Sequence, residues 1–218
     1  MTRASVTLAT GALLALVVGG AVFGWHNHSA ISRWWWLIVI GLLALVLAAV
    51  FVPWVAPATG VVYSMVSGAL LGAISKDLED SSDGIVFVAL TATVVVFVVA
   101  LVLYVSGVIR VTQRFQGMLR IAVGGVGLLY FVTLVVSWFG TGVPLVTGSG
   151  PGAIVFSLFV IGIVSLELML DFDVIERGIA AGAPRQQSWS AAFGLITSIV
   201  WVYIEILRLL ANLVRRSR

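Results

Sequence analysis

The chain has 218 residues, 61% of them hydrophobic and 10% charged, and a mean hydropathy of +1.17, which excludes a soluble domain with a water-facing surface. Its net charge of +3 comes with no basic module outside the apolar runs. Nucleic-acid binding is therefore excluded, and Arg215, Arg216 and Arg218 are left as attractants for anionic lipid headgroups. The absence of cysteine removes disulfides, thiolate catalysis and thiolate metal sites.

Apolar runs near the length that crosses a bilayer recur from end to end, separated by short polar gaps. The ten-residue alternation of an outer-membrane barrel is absent. The pattern predicts an all-α integral membrane protein, a single polytopic domain over residues 1–218 with seven transmembrane helices. The first span covers residues 4–23; Arg3 ahead of it resembles a signal-peptide flank, but the run is long and reads as a retained helix. Residues 25–33 read as a loop holding both histidines. His26 and His28, two residues apart at an interface, make a poor metal site and read as headgroup-level polar groups.

Trp34, Trp35 and Trp36 open the second span, 34–52, as interfacial aromatics do. Pro53 and Pro57 bracket a turn into the third, 57–75, where Ser64, Ser67, Gly68, Gly72 and Ser75 permit close helix packing. Residues 76–83 hold four of the nine acidic residues. They lack the order of an EF-hand loop and read as a solvated loop, or one that gathers cations near a pore mouth.

The fourth span, 84–109, is rich in valine. Arg110, Arg114 and Arg120 mark a loop and the start of the fifth, 119–139, in which Gly124, Gly125 and Gly127 read as a packing notch rather than a phosphate loop. After a glycine-rich turn come the sixth span, 153–175, and the seventh, 189–214. Seven spans divide the Lys and Arg residues six against six, so charge does not set the orientation.

The last two spans carry the chemistry, because ionisable groups inside hydrocarbon are expensive and by default functional. Glu167 and Asp171, four apart, share a helix face, whereas Asp173 lies about 200° from Asp171. Asp173, Glu176 and Arg177 fall nearer the loop. On the seventh span Glu205 and Arg208 are three apart and within pairing reach. Two carboxylates brought together in a low dielectric hold a shared proton near neutrality and so sense pH; deprotonated, they make a hard oxygen site suited to calcium.

These residues resemble a known family. Leu170-Asp-Phe-Asp-Val-Ile-Glu-Arg-Gly178, Gly-Ala-Pro at 182–184, Trp189-Ser-Ala-Ala-Phe-Gly194 and Trp201-Val-Tyr-Ile-Glu-Ile-Leu-Arg-Leu-Leu210 look like the bacterial YccA-like branch of the Bax inhibitor-1 family. Leu71-Gly-Ala-Ile-Ser75 and Leu103-Tyr-Val-Ser-Gly-Val-Ile-Arg-Val-Thr112 fit the same branch. The resemblance implies a seven-helix bundle with the C-terminal helix central, in a bacterial inner membrane, working as a pH-sensitive calcium leak channel with no cofactor. It also implies a sensor made of one acid on each of the last two helices. Asp171 matches the first.

The second falls on Glu205 if Tyr203-Ile-Glu-Ile aligns with the family's Tyr-Leu-Asp-Ile; if Leu207-Arg-Leu-Leu210 aligns instead with the family's Leu-Leu-Arg ending, Ser198 takes that position and the acid pair is missing. Depth bears on the choice, since Glu205 lies about 25 Å along its helix from Ser188.

The expected pathway residues are thus Asp171, Glu205, Glu167 and Asp173, with Asp171 and Glu205 as ligands for calcium and Arg208 as a latch competing for the acids. The alternative is a non-conducting regulator that binds a membrane protease or another membrane protein, as a monomer or dimer. An intramembrane aspartyl protease is disfavoured because no Gly-x-Gly-Asp is present, and two histidines are too few for a zinc hydrolase with several histidine ligands.

Overall fold

A computed structural model of the chain describes residues 1–108, 111–140 and 142–217. Arg110 and Arg218 of the charge division, and the predicted end of the fourth span at 109, lie outside the described residues. Among those described, every regular element is helical: α1 (Arg3–His26), α2 (His28–Arg33), α3 (Trp35–Phe51), a 3-10 turn (Pro53–Val55), α4 (Ala56–Glu79), α5 (Ile85–Val105), α6 (Gln113–Ser137), α7 (Pro144–Thr147), α8 (Pro151–Ala180) and α9 (Gln187–Ser217). Six of them, α1, α4, α5, α6, α8 and α9, are long and apolar enough to cross a membrane. The apolar α3 has 17 residues, about 26 Å at 1.5 Å per residue against a hydrocarbon core of about 30 Å.

Boundaries move outward from the sequence reading wherever a polar residue extends a helix. Thr112 Oγ1 accepts the Phe115 N–H at 3.2 Å, so α6 begins at Gln113, and Arg114 is helical rather than in a loop. Lys76 pairs with Asp80 and Arg177 with Asp173, each across one turn, and these i,i+4 pairs accompany the extension of α4 and α8 past 75 and 175. Gly182, at φ 62°, lies just beyond the end of α8 in a conformation suited to glycine.

The predicted histidine loop contains a short helix, α2. His28 and Ser32 stand on one face of it, His28 Nδ1 2.7 Å from Asp77 Oδ1 and Ser32 Oγ donating to Asp77 Oδ2 at 3.0 Å. Gly124, Gly125 and Gly127 are not a packing notch. They are exposed, and a Cβ at any of them would meet nothing within 4 Å.

The chain divides into two compact units. The first comprises residues 1–81 and 171–200, and its central contact is α1 against α4. Here Gly68 and Gly72 of α4 face the Val17 and Ala21 carbonyls, while Gly20 and Gly24 of α1 face those of Met65 and Ala69; a Cβ at any of the four would overlap backbone. Without a hydrophobic drive between helices in lipid, such backbone approach supplies dispersion and Cα–H···O contact.

One end of this unit holds His28, Ser32 and Asp77, with Lys76 5.5 Å from the Trp25 ring centre. The other holds Gln186 Nε2 donating to the Trp54 carbonyl at 3.3 Å, the Met1 amine on the Ala183 carbonyl, and Ser5 Oγ 2.7 Å from Ser188 Oγ. Helix α3 leaves the first end after α2 and arrives at the second before Trp54, packing on α4 as it goes.

The second unit comprises residues 82–170 and 201–218. Gly84, at φ 80°, caps α5. That helix shows Phe87, Val94, Val95, Val98 and Val102 outward and buries Ile85, Ala89, Thr93 and Ala100, the inverse of a soluble surface and suited to lipid. On α6, Leu119, Val126 and Thr133 recur every seven residues along one buried face. Ser157, Val160, Val164 and Leu168 of α8 and Val202, Glu205, Ile206 and Asn212 of α9 are buried too.

Candidate functional site

The acidic positions singled out by the sequence fall into two separate settings, one in each unit. In the first, Asp171 sits on α8 with Gly194 and Ser198 of α9. Ser198, 5% exposed, donates its hydroxyl to Asp171 Oδ2 at 2.6 Å. Gly194, one turn earlier on the same face, lets the carboxylate come close, since a Cβ there would stand 3.1 Å from Asp171 Oδ1.

The helix boundaries explain the match. Asp171 lies nine residues before the end of α8 and Ser198 eleven after the start of α9, about 14 and 17 Å from the connecting turn. The structure therefore brings Asp171 together with Ser198, one of the two helix positions the sequence left open.

Glu205, two turns further along α9, is built into the other unit and is 1% exposed. Tyr130 of α6 donates its hydroxyl to Glu205 Oε2 at 2.6 Å and accepts from Arg208 Nη1 at 2.6 Å. The same Arg208 nitrogen lies 3.3 Å from Glu205 Oε1, an ion-pair contact without hydrogen-bond alignment. Arg208 Nη2 also reaches the Leu145 carbonyl at 3.4 Å.

Aromatic rings enclose the guanidinium: the centres of Tyr130 and Phe156 are 5.5 and 5.6 Å from its carbon, within cation–π range. Phe156 and Trp201 in turn pack edge-on to Tyr130, at 6.2 and 6.4 Å. Opposite charges, a bridging phenol and aromatic walls help a membrane span to retain an ionised pair, although Glu205 Oε1 and Arg208 Nε have no hydrogen-bond partner among the described residues.

Glu167 is half-buried on α8 within electrostatic reach of Arg120, and its Oε2 has no hydrogen-bond partner among the described residues. Asp173 pairs with Arg177 one turn along α8. Among the described residues no three His, Asp or Glu side chains converge as a metal-binding group. His26 and His28 are engaged separately, with the Val22 carbonyl and with Asp77.

A model of the family described as Bax inhibitor 1 like matches residues 1–215. The chain belongs to that family. No curated protein and no solved structure gives a match. As a member of the Bax inhibitor 1 like family it is a multi-pass membrane protein, in keeping with its apolar helices.

Sequence reasoning about this member missed Tyr130, Phe156 and Trp201. Tyr130 was hidden in an apolar run, and an isolated tyrosine in a span carries no mark of facing a charge. A search for polar atoms near the middle of spans would have singled it out.

Proposed function

We propose that the protein is a pH-sensitive cation leak pathway with calcium as the transported ion, controlled by its intramembrane carboxylates. The observation that carries this reading is Glu205, a carboxylate 1% exposed on an apolar helix and balanced by Arg208 and Tyr130. Such a group is costly to retain for structure alone, because an apolar residue in its place demands no partners. Asp171, with Ser198 as hydroxyl donor, is the second acid of the pathway, and Glu167 and Asp173 flank it along α8. Carboxylate oxygens suit calcium, and protonation removes their charge, so one set of groups ties proton occupancy to cation passage. Arg208 acts as the latch, a resident cation occupying Glu205 in the absence of calcium.

In this reading α3 is a seventh span. Support comes from its course between the two ends of its unit and from its uncharged sequence. The C-terminal α9 is the helix around which the others are organised, and the protein resides in a bacterial plasma membrane as a monomer or dimer, without a cofactor and without enzymatic activity.

Calcium influx into liposomes holding the purified protein, scanned over about pH 5 to 8, tests the proposal. The expected result is a pH-dependent flux in the parent whose titration is lost in Asp171→Asn and altered in Glu205→Gln. A profile unchanged in Asp171→Asn removes that residue from the mechanism. No flux at any pH, with recovery of a bound membrane protein such as a protease, supports the non-conducting regulator instead.

A further inference from the structure

Glu205 and Arg208 are on one helix, three residues apart, so their ion pair moves with α9 as a body and on its own registers nothing about neighbouring helices. Tyr130 changes that. It is a residue of α6, and its single hydroxyl is engaged twice, donating to Glu205 Oε2 and accepting from Arg208 Nη1, both at 2.6 Å. A phenol has one proton to give, and here the carboxylate receives it, leaving the oxygen lone pairs for the guanidinium. Any sliding or rotation of α6 against α9 in this part of the unit breaks both bonds together, because hydrogen bonds weaken steeply outside a narrow range of distance and angle.

We infer that Tyr130 is a positioning residue through which the placement of α6 sets whether Glu205 is closed in a cluster with Arg208 or open to a mobile cation. With the phenol in place, Oε2 of the carboxylate holds the hydroxyl, while Oε1 faces the guanidinium at 3.3 Å as an ion-pair contact without a hydrogen bond. The guanidinium is held by the phenol, the Leu145 carbonyl and the Tyr130 and Phe156 rings. With the phenol withdrawn, Oε2 is freed and Arg208 loses the contact that ties it to α6. The device is separate from the Asp171–Ser198 contact, which shares no residue with it.

The helix-positioning part stands on geometry alone. Only the step from an open Glu205 to cation passage rests on the leak-pathway reading. The test keeps the two apart. The native chain has no cysteine, so nitroxides attached to Leu128→Cys on α6 and Leu213→Cys on α9, both exposed outside the cluster, report one distance by double electron–electron resonance in liposomes.

Tyr130→Phe retains the ring that packs on Phe156 and Trp201 and removes only the hydroxyl. It is expected to broaden or shift the α6–α9 distance. Glu205→Gln is expected to do the same, with the double variant adding nothing, since both act through one bond. Arg208→Lys, which retains charge but loses the fork, is a second route to the same result should Tyr130→Phe fold poorly. In the flux assay Tyr130→Phe raises calcium entry on the order of tenfold at a pH where the parent is closed, the shift expected from losing a hydrogen bond to a charged group. In a Glu205→Gln background that rise is absent.

An unchanged distance distribution in Tyr130→Phe overturns the inference, as do additive effects of Tyr130→Phe and Glu205→Gln, or, in a protein whose parent conducts at some other pH, flux in Tyr130→Phe no greater than the parent's at the pH where the parent is closed. A changed and non-additive distance response with no flux in any protein upholds Tyr130 as the positioning residue and removes the leak pathway.

Discussion

A buried ion pair is worth little as a pair and a great deal as a constraint on its members. Removing one ion leaves the other uncompensated and costs about 3–5 kcal/mol, whereas replacing both with apolar groups is often neutral or better. Glu205 and Arg208 fit the buried case, with side chains 1% and 18% exposed. Arg208→Ala is therefore expected to destabilise the protein by about 3–5 kcal/mol, and adding Glu205→Leu to recover most of the loss. Thermal unfolding in detergent, followed by tryptophan fluorescence, checks both; equal stability of the single and double variants defeats the account.

The three-residue spacing made this pair legible in the sequence. Tyr130 was not, because nothing in a lone chain of letters says which face of α6 meets α9. The partner of Asp171 lay between these cases. Two registers were open, and what separates them is helix length, which at the end of α8 goes with the Asp173–Arg177 pair and the Gly182 turn rather than with the apolar run.

At the scale of the element, the tight seam is α1 against α4. Four glycines there have carbonyls where a Cβ would stand, so the seam tolerates no side chain and the helices cannot repack around one without separating. Gly72→Leu is expected to disrupt it, lowering the yield of monodisperse protein on size exclusion. Gly11→Ala on α1, where a Cβ meets nothing within 4 Å, is expected to be neutral or to stabilise by up to about 1 kcal/mol through helix propensity. Comparable loss in both variants would mean that close packing is not what α1 contributes.

The small residues of α4 were readable as a packing face because they recur at helical spacing. Those of α6 recur as densely and face open space, so composition identifies a possible seam while only the neighbour decides whether it is used. The short helix α2 escaped notice for the same reason. Its determinant is Asp77, 49 residues away from His28 in the chain.

For the molecule as a whole, topology turns on the parity of its crossings, since one more or one fewer span reverses the side on which every later loop lies. Among the described residues six helices meet the length and hydropathy of a span, and α3 falls short only in length. Its 17 residues carry no charge, the cluster Trp34, Trp35 and Trp36 stands at its start, and a shortfall of a few ångströms is absorbed by local thinning of the bilayer or by interfacial anchors at a cost of fractions of a kcal/mol per ångström.

The hydrogen bonds at its two approaches point the same way. Before it, α2 is tied to Asp77 at the C-terminal end of α4; after it, Trp54 is tied to Gln186, close to the α4 N-terminus in sequence. A helix that begins beside one end of α4 and finishes beside the other has travelled the length that α4 travels. Single cysteines at Asn27 and Trp54, in a chain with none of its own, are therefore expected to react with a membrane-impermeant maleimide from opposite sides of the membrane. Labelling of both from one side would make α3 a surface or re-entrant helix, reduce the crossings to six, and put the turns that follow α4, α5, α6 and α8 on the sides opposite to those seven spans require.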